Sequence, residues 1–300
     1  MHVSGGKWPL GAGWIAVGVL AALAMAVVAG PYAAGRSYSE RVGPALEPPD
    51  RWHWLGTDEL GRDELVRLLY AGRVSLAVGV TAAVAAAVAG TAVGLVAGSS
   101  GGRVDGLLMR LTDAFLALPT LPVLLVLAAV DLEKPLAAIQ TAVGRPDADL
   151  PRLANEPWLH AVRLVGIVAL FGWMGTARLV RAQVRSLRQR EFVLAARALG
   201  VGSLRIGLRH LLPHCAGPVL VATAGAVGGT ILYEAVLGFL GLGIPPPMPS
   251  WGGMLQDARV YSYYRAPWLI YFPGLCITVT VFCVNILSDR LQERADPSRQ

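Results

Sequence analysis

Arg178-Leu-Val-Arg-Ala-Gln-Val-Arg-Ser-Leu-Arg-Gln-Arg-Glu-Phe-Val-Leu-Ala-Ala-Arg-Ala-Leu-Gly-Val-Gly-Ser-Leu-Arg-Ile-Gly-Leu-Arg-His-Leu-Leu-Pro-His214 is the stretch that decides how this chain reads. Eight arginines stand here against one acid, Glu191, and strongly apolar segments lie on both sides. Phe192, Val193, Leu194, Ala195, Ala196, Ala198 and Leu199 favour one short helix. Gly200 is placed to end it, because glycine takes a positive φ without a Cβ clash. Ser203 then caps a second short helix through Leu204, Ile206, Leu208 and Leu211. Pro213 stops that helix or bends it into the next apolar segment. The expected product is a helix–turn–helix knob between two membrane spans.

Working outward, the whole chain is 54% hydrophobic and 15% charged, against about 25% charged in a soluble domain. Its mean hydropathy is +0.53. Cys215, Cys276 and Cys283 lie in or beside apolar stretches and read as small core residues rather than a disulfide framework. The net charge of +6 does not point to nucleic acid, since no basic helix is free of adjoining spans.

Six segments meet the requirement of about 20 apolar residues for a core about 30 Å thick. They are Leu10–Gly30, Ser75–Ala97, Ala114–Val130, Trp158–Met174, Cys215–Phe239 and Trp268–Leu287. The third is short and contains Pro119 and Pro122. Short arginine-rich loops are retained in the cytoplasm, so the knob and both termini are expected inside. The first apolar run is longer than a secretory h-region of about 7–15 residues and reads as an uncleaved anchor. The fold class is therefore all-α and polytopic. Residues 1–73 form an anchor helix plus outer loop, and 74–300 a five-helix core with the knob loop at 177–214.

In the first outer loop, Gly56 and Gly61 allow special dihedrals and Asp63 can cap the helix that follows. That helix, Glu64 to Arg73, groups Leu65, Leu68 and Leu69 as an interfacial helix does. Gly90, Gly94 and Gly98 recur every four residues and would let helix backbones approach closely in lipid. Glycines and then prolines from Gly238 to Gly253 cannot continue a helix, so an outer or re-entrant loop is expected, with Trp251 at the membrane interface.

Three of these stretches carry a resemblance. Ala195-Ala196, Gly200 and Leu212-Pro213 resemble the coupling loop of ABC-importer permeases, with Leu194 standing where the signature has glutamate. Leu55-Gly-Thr-Asp-Glu-Leu-Gly-Arg-Asp63 is similar to a motif of the C-type subunits of the dipeptide/oligopeptide (and nickel) permease family. Phe239-Leu-Gly-Leu-Gly243, the proline run, Pro249-Ser-Trp-Gly252 and Met254-Leu255 resemble that family's segment between its last two spans. The polar stretch 131–157 departs from it, being longer than the family's pattern.

The resemblance implies one half of an inner-membrane translocation pathway for di- or oligopeptides. Its implied partners are a B-type permease subunit, two cytoplasmic ATPase subunits that bind ATP and Mg, an extracytoplasmic solute-binding protein and the lipid bilayer. No cofactor is expected in this chain, and no nucleic acid. Arg188, Arg190, Glu191, Phe192, Leu194, Ala195, Ala196, Arg197, Gly200 and Arg205 are the ATPase-coupling candidates, with lipid headgroups the alternative contact for the arginines. Phe192 and Leu194 are the expected apolar anchors. Thr57, Asp58, Gly61, Arg62 and Asp63 mark the outer-loop motif. Nickel, another small solute, or a non-transporting scaffold remain alternative functions.

Glu234, Phe239 and Asn285 are pathway or gate candidates. Glu234 is the acid well inside a span, and both a pore-lining and a hydrogen-bonding reading stay open. Arg163 is expected to snorkel. His210 and His214 have the spacing of a metal pair, but Pro213 disturbs that helix and no metal is assigned. The chain has no Gly-x-x-x-x-Gly-Lys-Ser/Thr, Gly-x-Ser-x-Gly or His-Glu-x-x-His, so neither nucleotide binding nor hydrolysis is expected of it.

Overall fold

A long apolar run in hydrocarbon satisfies its backbone polar groups only by coiling on itself. The computed structural model, which describes residues 11–130, 156–259 and 265–295, is accordingly helical, with no β-strand among those residues. Five stretches are long and apolar enough to cross a membrane. They are α1 (Ala12–Ala34), α2 (Glu64–Ser100), α5 (Pro157–Leu187), the Gly207–Phe239 unit and α10 (Trp268–Ala295). Within the Gly207–Phe239 unit, a π-helical turn at Gly207–Leu211 leads into α8 (Leu212–Phe239).

The expected third span is broken rather than continuous. It is two helices, α3 (Gly102–Ala117) and α4 (Thr120–Ala129), bent by 85°. The residue before a proline is pushed out of the helical region, and Leu118, ahead of Pro119, is extended at ψ 137°. Arg163, expected to snorkel, reaches the end of α4. Its guanidinium donates to the carbonyls of Leu127, at 3.0 Å, and Ala128, at 2.7 Å, and so caps the end of α4.

The interfacial helix expected at Glu64–Arg73 is also corrected, because these residues are the first turns of the 37-residue α2. Asp63 does cap it, accepting from the Val66 N–H at 3.1 Å. Leu68 lies in the protein core with Ala71, Ala235, Trp251 and Met254 rather than at a lipid boundary. Trp251, expected at the membrane interface, is buried there. Its indole N–H donates to the Leu68 carbonyl at 3.1 Å. It opens the short helix α9 (Trp251–Ala258), whose N-cap is Ser250.

At about 1.5 Å per residue the 37-residue α2 is about 55 Å long, well beyond the thickness of a hydrocarbon core of about 30 Å. The glycine stripe lies against α5. A Cβ at Gly94 would stand 2.5 Å from the Ala177 carbonyl oxygen and 2.8 Å from Val180 Cβ. Gly90 faces Trp173 and Ala177, and Gly98 faces Val184, so α2 and α5 run in the same direction. On another face, the Thr230 hydroxyl donates to the Gly79 carbonyl at 2.7 Å and holds α8 to α2. One rod thus connects the two ends of the molecule. The 131–157 stretch lies outside the described residues except for its last two positions, where α5 begins.

Candidate functional site

The knob is built as a cap on the α2–α5 pair. Arg190 is extended, at φ −77° and ψ 146°, and the helix α6 (Glu191–Ala198) starts after it. Glu191 in its first turn complements the helix dipole. Gly200, at φ +75°, ends it as expected. The Gly200 N–H bonds to the Arg197 carbonyl at 2.9 Å, and the Val201 N–H to the Ala196 carbonyl at 3.1 Å, the two bonds of a Schellman motif. Ser203 is the first residue of α7 (Ser203–Ile206) rather than its cap, since the Ile206 N–H bonds back to Gly202. Pro213 does not stop the second knob helix, which runs on through the π-helical turn at Gly207–Leu211 into α8 with Pro213 in its first turn.

The two faces of α6 differ sharply. Val193, 0% exposed, and Ala196 pack with Val180, Val184, Ile206, Leu211 and Cys215. Phe192, Leu194 and Ala195 point away from that core, together with the exposed Arg190, Arg197 and Arg205. Leu194 is 52% exposed and Leu199 84%. Phe192 stacks on His214, ring centroids 5.1 Å apart, while the His214 Nδ1 lies 2.7 Å from the His210 carbonyl oxygen. Of the two signature alanines, Ala195 is therefore exposed and Ala196 faces the chain's own core.

The sequence reading missed Leu199 and Leu208, both exposed. It also missed the arginine row on α5. Arg181 holds Asp105 of α3 through both carboxylate oxygens, one contact at 2.7 Å, and Arg178 pairs with Asp113. The three- and four-residue spacing of Arg178, Arg181 and Arg185 was the available signal, since it places them on one helix face.

At the far end of α2 the outer-loop motif folds around its own side chains. The Thr57 hydroxyl donates to the Pro44 carbonyl at 2.6 Å and accepts from the Glu47 N–H at 2.9 Å. Asp58 accepts from the Leu60 and Arg62 N–H groups, from Arg62 Nε at 2.6 Å, and from Arg67. Gly61 turns the loop at φ +73°. Asp63 caps α2 and lies 3.3 Å from His53 Nδ1. Arg67 extends the network to Asp257 on α9, at 3.1 Å. Burial, the largest cause in each case, pushes the Glu59 and Asp257 carboxyls above the usual carboxylate range. No local pattern in the sequence pointed to Arg67 and Asp257, which lie 190 residues apart.

The three gate candidates are not brought together. Glu234 is 0% exposed, between the Ser75 and Ser250 hydroxyls of α2 and the α9 N-cap, and neither carboxylate oxygen closes a hydrogen bond of normal geometry. Phe239 is exposed at the end of α8. Asn285 is exposed on α10 opposite Gly228, about 9 Å along α8 from Glu234.

Membrane-crossing helices around a long central rod, with a two-faced helical knob at one end, define a multi-pass membrane protein whose knob presents apolar side chains outward. Residues 90–300 match the binding-protein-dependent transport system inner membrane component family, and the chain belongs to that family. It is 35% identical over 254 residues to the oligopeptide transport system permease protein OppC of Bacillus subtilis, covering 84% of this chain and 74% of that protein. It is 37% identical over 281 residues to the dipeptide transport system permease protein DppC of Alkalihalophilus pseudofirmus, covering 93% and 83%. Identity to the OppC protein of Escherichia coli K12 is 37% over 282 residues, covering 93% and 84%.

Proposed function

We propose that this chain is the C-type permease subunit of an ATP-driven importer of di- or oligopeptides, coupling solute passage to nucleotide turnover on other chains. The observation that carries the reading is the outward apolar face of α6, where Phe192, Leu194 and Leu199 stand exposed over a fully packed inner face. A surface of this kind suits insertion into a groove of a cytoplasmic ATPase, and the arginines around it suit an acidic rim.

In this mechanism the chain itself is not catalytic. ATP and Mg belong to two ATPase subunits, a B-type permease supplies the other half of the pathway, and an extracytoplasmic binding protein delivers the peptide. Closure of the ATPases moves the knob. The knob is fastened to α5 by the Val180–Val184 core and to α2 by Arg188, so these two helices carry the displacement towards the opposite end. The knob and both termini lie in the cytoplasm.

The test has two arms. In a cysteine-free background, cysteine at Ser186 should react with an impermeant thiol reagent only from the cytoplasmic side, and cysteine at Ser39 only from outside. Uptake of a labelled dipeptide should depend on this chain and on copurifying ATPase subunits. Reversed labelling, or uptake indifferent to deletion of the chain, would overturn the reading.

A further inference from the structure

The outer-loop motif has no part in the proposed coupling, yet it builds a charged cavity at the end of α2 opposite the knob. Asp58 and Glu59 from the loop, Glu64 and Arg67 from α2, and Asp257 from α9 line it, with apolar side chains of α9 and α10 behind them. The cavity measures about 10 Å³, room for roughly one water-sized group.

Its carboxyls outnumber its guanidiniums. Asp58, Glu59, Glu64 and Asp257 face two guanidiniums, Arg62 and Arg67. Arg62 is engaged by Asp58 and Glu59, and Arg67 by Asp58 and Asp257. Glu64 is 2% exposed and lines the cavity; its N–H donates to the Gly56 carbonyl, but its side chain has no hydrogen bond or ion pair among the described residues. An ionised carboxylate is not buried without a compensating partner. Burial raises both the Glu59 and the Asp257 carboxyls, and the Asp58 charge adds to the rise at Glu59.

We infer that this cavity is a binding site for a single primary ammonium group, held by Glu64 with Glu59 and Asp257. Size excludes a whole solute, leaving only the tip of one. A cation complements the carboxyl that no side chain here engages. No group of His, Cys, Asp and Glu side chains among the described residues has the arrangement of a metal site. An ammonium carries its charge with three N–H donors, and the carboxyls from the loop, α2 and α9 that line the cavity are acceptors for them. Two sources share this chemistry, the amino terminus of a solute and a lysine tip of a protein that docks at this end. Only the solute source rests on the peptide reading.

The test uses the full-length chain in lipid nanodiscs and follows its thermal midpoint. Methylammonium chloride should raise the midpoint saturably, whereas tetramethylammonium and sodium chlorides at equal ionic strength should not. Glu64→Gln should abolish the difference, and Glu191→Gln, on the knob, should keep it. Equal responses to all three salts, or an undiminished methylammonium response in Glu64→Gln, overturn the site. Should Glu64→Gln fail to fold, Glu59→Gln carries the test. The half-saturating concentration should then rise roughly tenfold, as for one lost charge-assisted hydrogen bond, and an unchanged value overturns the proposal. Because methylammonium is the probe, failure here leaves the transport reading standing. Competition by a dipeptide but not by its N-acetylated form assigns the ammonium to the solute. Competition only by a lysine-bearing polypeptide assigns it to a protein side chain.

Discussion

The Arg188 guanidinium donates to the Gly98 carbonyl at 2.9 Å, fastening the first residue after α5 to the last turn of α2. Carbonyls in the last turn of a helix have no intrahelical partner, so this bond both caps α2 and links the knob to it. Arg188→Ala is expected to leave ATPase binding near normal while lowering solute-stimulated ATP hydrolysis several-fold in the assembled complex. Arg188→Lys, which keeps one donor, should recover part of it. Parallel loss of binding and stimulation in both variants would mean that Arg188 serves docking rather than transmission.

Gly94 tests the contact between the rods. A methyl group there meets the Ala177 carbonyl and Val180 Cβ inside van der Waals distance. Gly94→Ala should therefore cost about 1–3 kcal/mol through forced separation of α2 and α5. Gly106→Ala meets nothing within 4 Å and should be neutral or gain up to about 1 kcal/mol from helix propensity. Reversible unfolding in detergent measures both, and equal effects would refute the close-packing account.

Neighbouring residues of α6 should behave oppositely. Val193→Ala removes two buried methyl groups and should cost about 2 kcal/mol of stability. Leu194→Ala should change stability by less than about 0.5 kcal/mol but weaken ATPase binding. Leu194→Glu should be tolerated, and Leu194→Asp, a poorer helix former, should dock less well. Tighter docking and faster turnover in Leu194→Glu would show that the loop works best with a charge at that position.

The outer cluster makes stability depend on pH. Because burial raises the Glu59 carboxyl in the folded state, the folded chain holds that proton more tightly than the unfolded chain does. The contribution is fully present below the unfolded pKa of about 4.3 and is lost as pH rises through the folded value. The thermal midpoint of Glu59→Gln relative to the parent should therefore climb with pH across that window and then level off. A constant difference from pH 4 to 8 would sink this account.

The knob was legible in the sequence because its determinants are local. Gly200 follows a run of helix formers and takes the positive φ that no β-carbon permits cheaply, and Asp63 caps α2 through a backbone N–H three residues away. The apolar runs were equally legible, since a helix in hydrocarbon needs only its own residues to satisfy its backbone. Leu118-Pro119 carried a steric signal too, but whether the break would tilt the chain slightly or turn it by 85° depended on what α3 and α4 lean against.

Tertiary structure alone decided which face of each helix is covered. Ala195 and Ala196 are identical in sequence terms, yet only Ala196 meets Val180 and Val184, because α6 lies at one angle across the end of α5. Glu64 to Arg73 had the pattern of an interfacial helix and became the start of α2, since α9 covers Leu68 and removes it from lipid. Arg67 and Asp257 pair across 190 residues, and Glu234 is enclosed by serines from two other elements. By itself the sequence determined the helices, the turn at Gly200 and the order in which they cross. Packing decided the bend, the enclosed acids and the two faces of the knob, because those depend on residues that meet only after the helices have come together.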